Sequence, residues 1–211
     1  MMRRRRPWRE ASLVAVDLEM TGLHPQNDQV IALGAVPVEG GRIQVGAAYY
    51  SLAHPTPGAS TDAVPIHGIL PHDLDDAPSL DEAIVPLIEL MRGRVPVVHA
   101  GWVERSFLGP LLRRHGSRLS RTMIDTRILW RLLNVERGLP DPGPQALGTI
   151  ADAVGVPAEH PHHALSDALT TAQVLLALAT HLDEIRPQTV GSLASAGSVL
   201  ATMKIYRPDL A

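Results

Sequence analysis

Asp17 and Glu19 stand two residues apart in the stretch Leu13-Val14-Ala15-Val16-Asp17-Leu18-Glu19, which is otherwise wholly apolar. That β-branched, apolar character predicts a buried strand, and on a strand a spacing of two sends both carboxylates to one face. Unpaired carboxylates are costly to bury, so this pair must face a cation or solvent. Thr21-Gly22 then lets the backbone turn sharply beside it. A second acidic element lies far along the chain, in His162-His163-Ala164-Leu165-Ser166-Asp167-Ala168. Here Asp167 falls in the first turn of a predicted apolar helix, and His162 lies five residues earlier. Carboxylate oxygens are hard donors suited to Mg²⁺ or Mn²⁺, and an imidazole with a pKa near ~6.5 exchanges protons close to neutral pH. Each element also has a plainer explanation: solvated edge charges at Asp17 and Glu19, a favourable helix dipole at Asp167, and a surface loop histidine at 162.

Holding such groups together requires a scaffold, and its elements are legible. After the first strand, residues 30–38 form a second apolar strand, Gly40-Gly41 marks a hairpin, and residues 42–52 form a third strand. The chain therefore opens as a three-stranded antiparallel meander. A proline-rich loop covers 54–65, and Ser79 with Glu82 forms a capping box for a helix running to Met91. A short strand over 95–99 leads to a helix over 103–115, and a strand over 123–125 leads to one over 127–133. The segment 138–145, rich in Pro and Gly, is a loop, and helices follow over 146–154 and 164–182. Strands first, then strands alternating with helices, indicate an α/β fold with a mixed sheet flanked by helices. Residues 1–10 read as a loose basic arm, 11–182 as the main domain, and 183–211 as an extension in which 192–203 is either a docked helix or mobile.

Composition narrows the setting. The chain of 211 residues has 45% hydrophobic residues, the length and balance of one well-cored domain. No apolar run approaches the ~20 residues of a membrane span, and the basic start lacks the apolar core of a secretory signal. With no cysteine, disulfides and thiolate metal sites are excluded, which fits a cytoplasmic protein. A net charge of −3 argues against nonspecific coating of nucleic acid but is compatible with gripping a few phosphates.

Taken in order, four segments resemble the DEDD exonuclease superfamily, in its His-containing, DnaQ-like (DEDDh) branch. Val16-Asp17-Leu18-Glu19-Met20-Thr21-Gly22 is similar to the family's Asp-x-Glu-Thr-Thr-Gly motif, with Met20 in place of one threonine. Ile66-His67-Gly68-Ile69 is similar to its His-Gly-Ile segment, and Met123-Ile124-Asp125-Thr126 to its Ile-Asp-Thr segment. His162 and Asp167 reproduce the His-x4-Asp spacing of the last motif, with Ala168 following. The resemblance covers residues 11 to 182 and implies a ribonuclease H-like sheet. It implies a 3′→5′ exonuclease holding two divalent cations, Mg²⁺ or Mn²⁺. Asp17 would bridge both ions, Glu19 and Asp167 would hold the one that binds the attacking water, and His162 would be the general base. Leu18, Met20 and Gly22 would line the pocket for the terminal nucleotide.

The second motif departs from the pattern. Where the family reads His-Asn-x-x-Phe-Asp, this chain has His99-Ala100-Gly101-Trp102-Val103-Glu104, followed by Phe107-Leu108 in the expected frame. Glu104 would serve the second ion with a side chain one methylene longer, and Ala100 removes an amide that would bond substrate. His67 and His99 read as hydrogen-bonding residues, and Asp125 as a cap or an orienting group. Arg105, Arg113, Arg114 and Arg118 are candidates for a phosphate track. The implied substrate is a single-stranded or frayed 3′ end, DNA favoured over RNA, with a polymerase subunit as a candidate partner. Two other readings stand beside this: a catalytically weakened domain that binds nucleic acid or a polymerase, and an exoribonuclease.

Overall fold

The computed structural model describes residues 2–158 and 160–205. Its sheet contains β1 (Ser12–Met20), β2 (Val30–Glu39), β3 (Arg42–Ile43), β4 (Tyr49–Leu52), β5 (Val95–Val98) and β6 (Ile124–Asp125). The order is β3-β2-β1-β5-β6, with β4 also on the outer edge of β2. β1 and β2 pair antiparallel, whereas β1–β5 and β5–β6 are parallel. β1 is thus central and covered on both faces, which explains why its sequence is nearly continuous in apolar residues.

Helices α1 (Met2–Arg5), α2 (Val64–His67), α3 (Leu80–Met91), α4 (Gly101–Arg114), α5 (Thr126–Glu136), α6 (Leu147–Ala153), α7 (Ala164–Ile185), α8 (Val190–Ala194) and α9 (Ala196–Ile205) complete the chain. The side chains of β1 divide the core as strand geometry requires. Val14, Val16 and Leu18 join Ile84, Leu87, Leu108 and Leu112 from α3 and α4 on one face. Leu13 and Ala15 join Leu129, Leu132, Leu175 and Leu178 from α5 and α7 on the other. Asp17 and Glu19 continue the second series and therefore belong to the α7 face. The Ser79–Glu82 capping box is present: Glu82 N–H donates to Ser79 Oγ (3.3 Å) and Ser79 N–H to Glu82 Oε2 (2.9 Å).

Two expectations change, and one left open is narrowed. The single strand expected over 42–52 is divided into β3 and β4 by a 3-10 turn, Val45–Ala47. Pro37 in β2 explains the break. Its carbonyl accepts from Gln44 N–H (2.9 Å), but proline has no N–H to return, so the ladder lapses there and resumes at Ala35 opposite Tyr49. The segment read as a loose basic arm is docked: Trp8 is 1% exposed, and its indole N–H donates to Asp183 Oδ2 at 3.1 Å. The extension forms two short helices, with Leu193, Ala196 and Leu200 buried in the α5–α7 core; its residues 206–211 lie outside the described residues. Val190 N–H donates to the Arg6 carbonyl at 3.1 Å, so the two ends brace each other.

The backbone carries strain at the start of α4. Ala100, the N-cap of α4, is left-handed at φ 70°, ψ 57°. That conformation costs a residue with a Cβ about 1–2 kcal/mol, which asparagine relieves in part and glycine almost wholly. Ala100→Gly is therefore expected to stabilise the protein by about 1 kcal/mol. In thermal melts this is a rise of about 2–4 °C, and an unchanged or lower Tm would contradict the assignment.

Candidate active site

The two acidic elements of the sequence meet. Asp17, Glu19 and Asp167 each offer a carboxylate oxygen, and these oxygens all lie within 4.8 Å of one another. Asp17 and Glu19 come from the end of β1, and Asp167 from the first turn of α7. What lets α7 come so close is Gly34, the β2 residue paired with Asp17. A Cβ on Gly34 would collide with the backbone carbonyl of Ala164, the first residue of α7. Glycine inside a strand commonly marks such a close approach of backbone.

All eight residues expected in the site line one cleft of about 550 Å³: Asp17, Leu18, Glu19, Met20, Gly22, Glu104, His162 and Asp167. Glu104 stands outside the tight group of three oxygens. It is 3% exposed on α4, and its Oε2 is buried with no hydrogen-bond partner. His162 is an exposed residue in a left-handed conformation at φ 63°, and its backbone N–H donates to Asp167 Oδ2 at 2.9 Å. The loop before α7 is thereby fastened to one of the clustered carboxylates.

The electrostatics are those of gathered acids, opposed only in part by Arg127 and by the imidazoles of His162 and His163. Burial, then the charges of Glu19, Glu104 and Asp167, hold the Asp17 carboxyl well above the usual carboxylate range. Burial, with Asp167 adding to it, pushes Glu19 up to about 7. Burial pushes Glu104 up to about 8. Asp167 is also raised by burial, against the opposing hydrogen bond from His162 N–H and the two neighbouring imidazoles. Oxygen donors this close, with an orphaned buried carboxylate oxygen beside them, fit divalent cations of the Mg²⁺ or Mn²⁺ kind. Because these folded-state values are raised, the acids are protonated in the fold at pH values where the unfolded chain has ionised them. Stability is then lost as pH rises from the ordinary carboxylate range through about 8. Metal-free protein should be more stable at pH 5 than at pH 8, by an amount on the order of a few kcal/mol, and so melt higher at the lower pH. Mn²⁺ added at the higher pH should restore it, and Glu104→Gln should flatten the slope; a metal-free protein most stable at pH 8 would refute this.

The supporting residues explain the rest of the local order. His99 bonds Thr126 Oγ1 (2.9 Å) and the Gln145 carbonyl (3.1 Å), as expected of a hydrogen-bonding residue, and burial pushes its imidazole down to about 4. Asp125 serves as cap and as orienting group. Its Oδ1 accepts from Arg127 N–H (2.9 Å) and its Oδ2 from Gly101 N–H (2.8 Å), tying the start of α5 to the start of α4, which carries Glu104. His67 Nδ1 accepts from Ile69 N–H (3.0 Å), and His67 also lines the cleft. Sequence reasoning missed Gly34 and the stack of Tyr50 on His163 (4.6 Å between ring centres), which steadies the N-cap of α7. Gly34 had a signal, a glycine inside an apolar strand; Tyr50 had none.

Comparison with known proteins agrees with this geometry. Residues 14–175 match a family model, RNase T, described as exonuclease. The chain is 28% identical over 186 residues to a PolC-type DNA polymerase III of Caldanaerobacter subterraneus subsp. tengcongensis, a match covering 88% of this chain and 13% of that protein. It is 30% identical over 168 residues to the PolC-type polymerase of Thermotoga maritima, covering 79% of this chain and 12% of the other. The chain thus spans a small fraction of the length of these relatives. Among solved structures, Exonuclease X in complex with 5′ overhanging duplex DNA aligns at TM-score 0.66 and 20% identity, over 87% of this chain and 98% of that one. E. coli Exonuclease I in complex with a dT13 oligonucleotide aligns at TM-score 0.68 and 17% identity, over 83% and 42%. The fold is the ribonuclease H-like exonuclease fold. Among the described residues no helix is long and apolar enough to cross a membrane.

Proposed function

This chain belongs to the exonuclease family whose model spans residues 14–175, and from that premise we propose that it removes nucleoside 5′-monophosphates from the 3′ end of single-stranded DNA. The observation that carries the reading is the meeting of Asp17, Glu19 and Asp167 oxygens within 4.8 Å, in a cleft with room for a nucleotide. Asp17, Glu19 and Asp167, with Glu104 in the same cleft, would hold two divalent cations, Mg²⁺ or Mn²⁺. Bound there, such ions supply a water acidic enough to attack and charge relief on the departing oxygen.

The chain's own groups do the remainder. His162 takes the proton of the attacking water, a task suited to an imidazole near neutral pH. The hydrogen bond from its backbone to Asp167 keeps it beside the carboxylates. Leu18, Met20 and Gly22, which line the cleft, pack the terminal nucleotide. DNA is favoured over RNA because the relatives at 28–30% identity are DNA polymerases, and a polymerase subunit is the corresponding candidate partner.

A second reading, a weakened domain that binds nucleic acid or a polymerase, is favoured by Glu104 and by Ala100 standing where an amide is usual. One assay decides: end-labelled single-stranded DNA and RNA, each with Mg²⁺ or Mn²⁺. Mononucleotides released from the 3′ end of DNA faster than of RNA support the proposal. Faster release from RNA makes the chain an exoribonuclease, and no release with either metal leaves the binding reading. Glu104→Asp adds a gauge: a large gain in rate marks the natural site as detuned.

A further inference from the structure

A second cleft, of about 380 Å³, adjoins the acidic one, and Arg127 and Pro144 line both. On its wall stands Trp102, in the first turn of α4 and 55% exposed. A single exposed apolar side chain carries no message alone, but its neighbours give this one a context. Arg105 and Arg127 line the same cleft, with Asp125; among the described residues neither guanidinium forms a salt bridge, and Arg127 offsets part of the charge of Glu104. Arg131, which lines the same cleft, is already neutralised by Asp141 at 2.7 Å. No aromatic ring or guanidinium stacks on Trp102 among the described residues. An exposed indole that shares a cleft with two guanidinium groups outside any salt bridge matches the alternating chemistry of a single nucleic-acid strand. Bases stack on indole whatever their identity, while phosphates take charge-assisted hydrogen bonds from arginine.

We propose that this second cleft carries the single strand upstream of the terminal nucleotide, with Trp102 stacking one base and Arg105 and Arg127 gripping the phosphates beside it. The occupant follows from position and charge, since the cleft runs into the acidic one at Arg127 and Pro144. The inference rests on the exonuclease reading for the direction of the strand. Its affinity for a strand can be tested apart from turnover.

The test compares two substrates. One is an oligonucleotide of about twelve residues, as DNA and as RNA, long enough to fill a site of this kind. The other is the p-nitrophenyl ester of thymidine 5′-monophosphate, which has no upstream nucleotides. Trp102→Ala should raise KM for the oligonucleotide about tenfold, within the range of one lost base stack. That rise should exceed any change on the ester by about fivefold or more, and Trp102→Phe should recover most of it. Arg105→Gln and Arg127→Gln should each lower the slope of log KM against log salt by about 0.7. Equal effects on both substrates, or none on the oligonucleotide, overturn the proposal. DNA and RNA behaving alike supports stacking without discrimination, while an effect confined to one of them assigns the cleft to that acid.

Binding gives an independent reading. The chain has three tryptophans, of which Trp8 is buried and Trp130 half-buried. Oligonucleotide added to metal-free protein should quench the fluorescence of the exposed indole, and Trp102→Ala should abolish that quenching; quenching that persists in the variant overturns the proposal. If the wild type cleaves neither substrate, the exonuclease reading fails, and the quenching experiment still decides what this cleft binds.

Discussion

Asp17→Asn is expected to abolish hydrolysis while making the metal-free protein more stable. The activity loss should reach about a thousandfold or more, beyond the ~10²–10³ typical of removing one neutral hydrogen-bond donor from a transition state. The larger loss follows because the substitution removes the carboxylate at the centre of the cluster, on which Glu19, Glu104 and Asp167 all bear. The stability gain has the same origin. Burial and three neighbouring acids oppose ionisation of Asp17, and an amide occupies the place without a charge to desolvate. Rates with Mg²⁺ or Mn²⁺ and melting curves with a chelator check both halves. A variant that retains activity sinks the assignment of Asp17. One that loses activity and also melts lower in chelator contradicts the account of the site as an only partly compensated acid cluster.

The second large effect belongs to a residue without a side chain. Gly34→Val should reduce activity by about a hundredfold or more, the cost expected when reacting groups are misplaced by roughly an ångström. The branched side chain would occupy the space taken by the backbone at Ala164, forcing the start of α7 off the sheet. Asp167 and the His162 loop travel with that helix start, so the carboxylates separate. Overpacking of this kind also costs about 1–3 kcal/mol of stability. The diagnostic readout is Mn²⁺ affinity by calorimetry, which must fall together with activity in protein whose circular dichroism still shows the fold. Intact metal affinity in a folded Gly34→Val would remove Gly34 from the architecture of the site.

These two residues also mark what was legible in the sequence. Asp17 and Glu19 could be read as a pair because strand periodicity is local, and Asp167 because the apolar run of α7 begins beside it. The order of strands and helices was readable for the same reason, and the boundaries moved by a few residues, as where α4 begins at Gly101 and not at 103. What escaped notice depends on chain segments that meet from afar. Gly34 is one glycine among several until α7 is placed over it. The break between β3 and β4 is written in Pro37, but its effect falls elsewhere in the chain, just past β3 at Gln44. Trp8 looked like part of a basic arm because its acceptor, Asp183, is 175 residues away. Ala100 was read for the amide it lacks, and the structure adds that its backbone is left-handed, a conformation asparagine tolerates better than alanine.

The bracing of the two ends has a consequence in time. A ribosome adds about 5–20 residues each second, so the partner of Trp8, separated from it by 175 residues, is made roughly 9 to 35 seconds later. Until then the indole has no acceptor from Asp183 and the first segment has no Thr189–Val190 edge to lie against. The acid cluster waits almost as long, because Asp167 is made long after Asp17 and on the same helix, α7, that carries Asp183. Both the cluster and the docking of Trp8 therefore wait on one element, α7, which carries Asp167 in its first turn and Asp183 near its end.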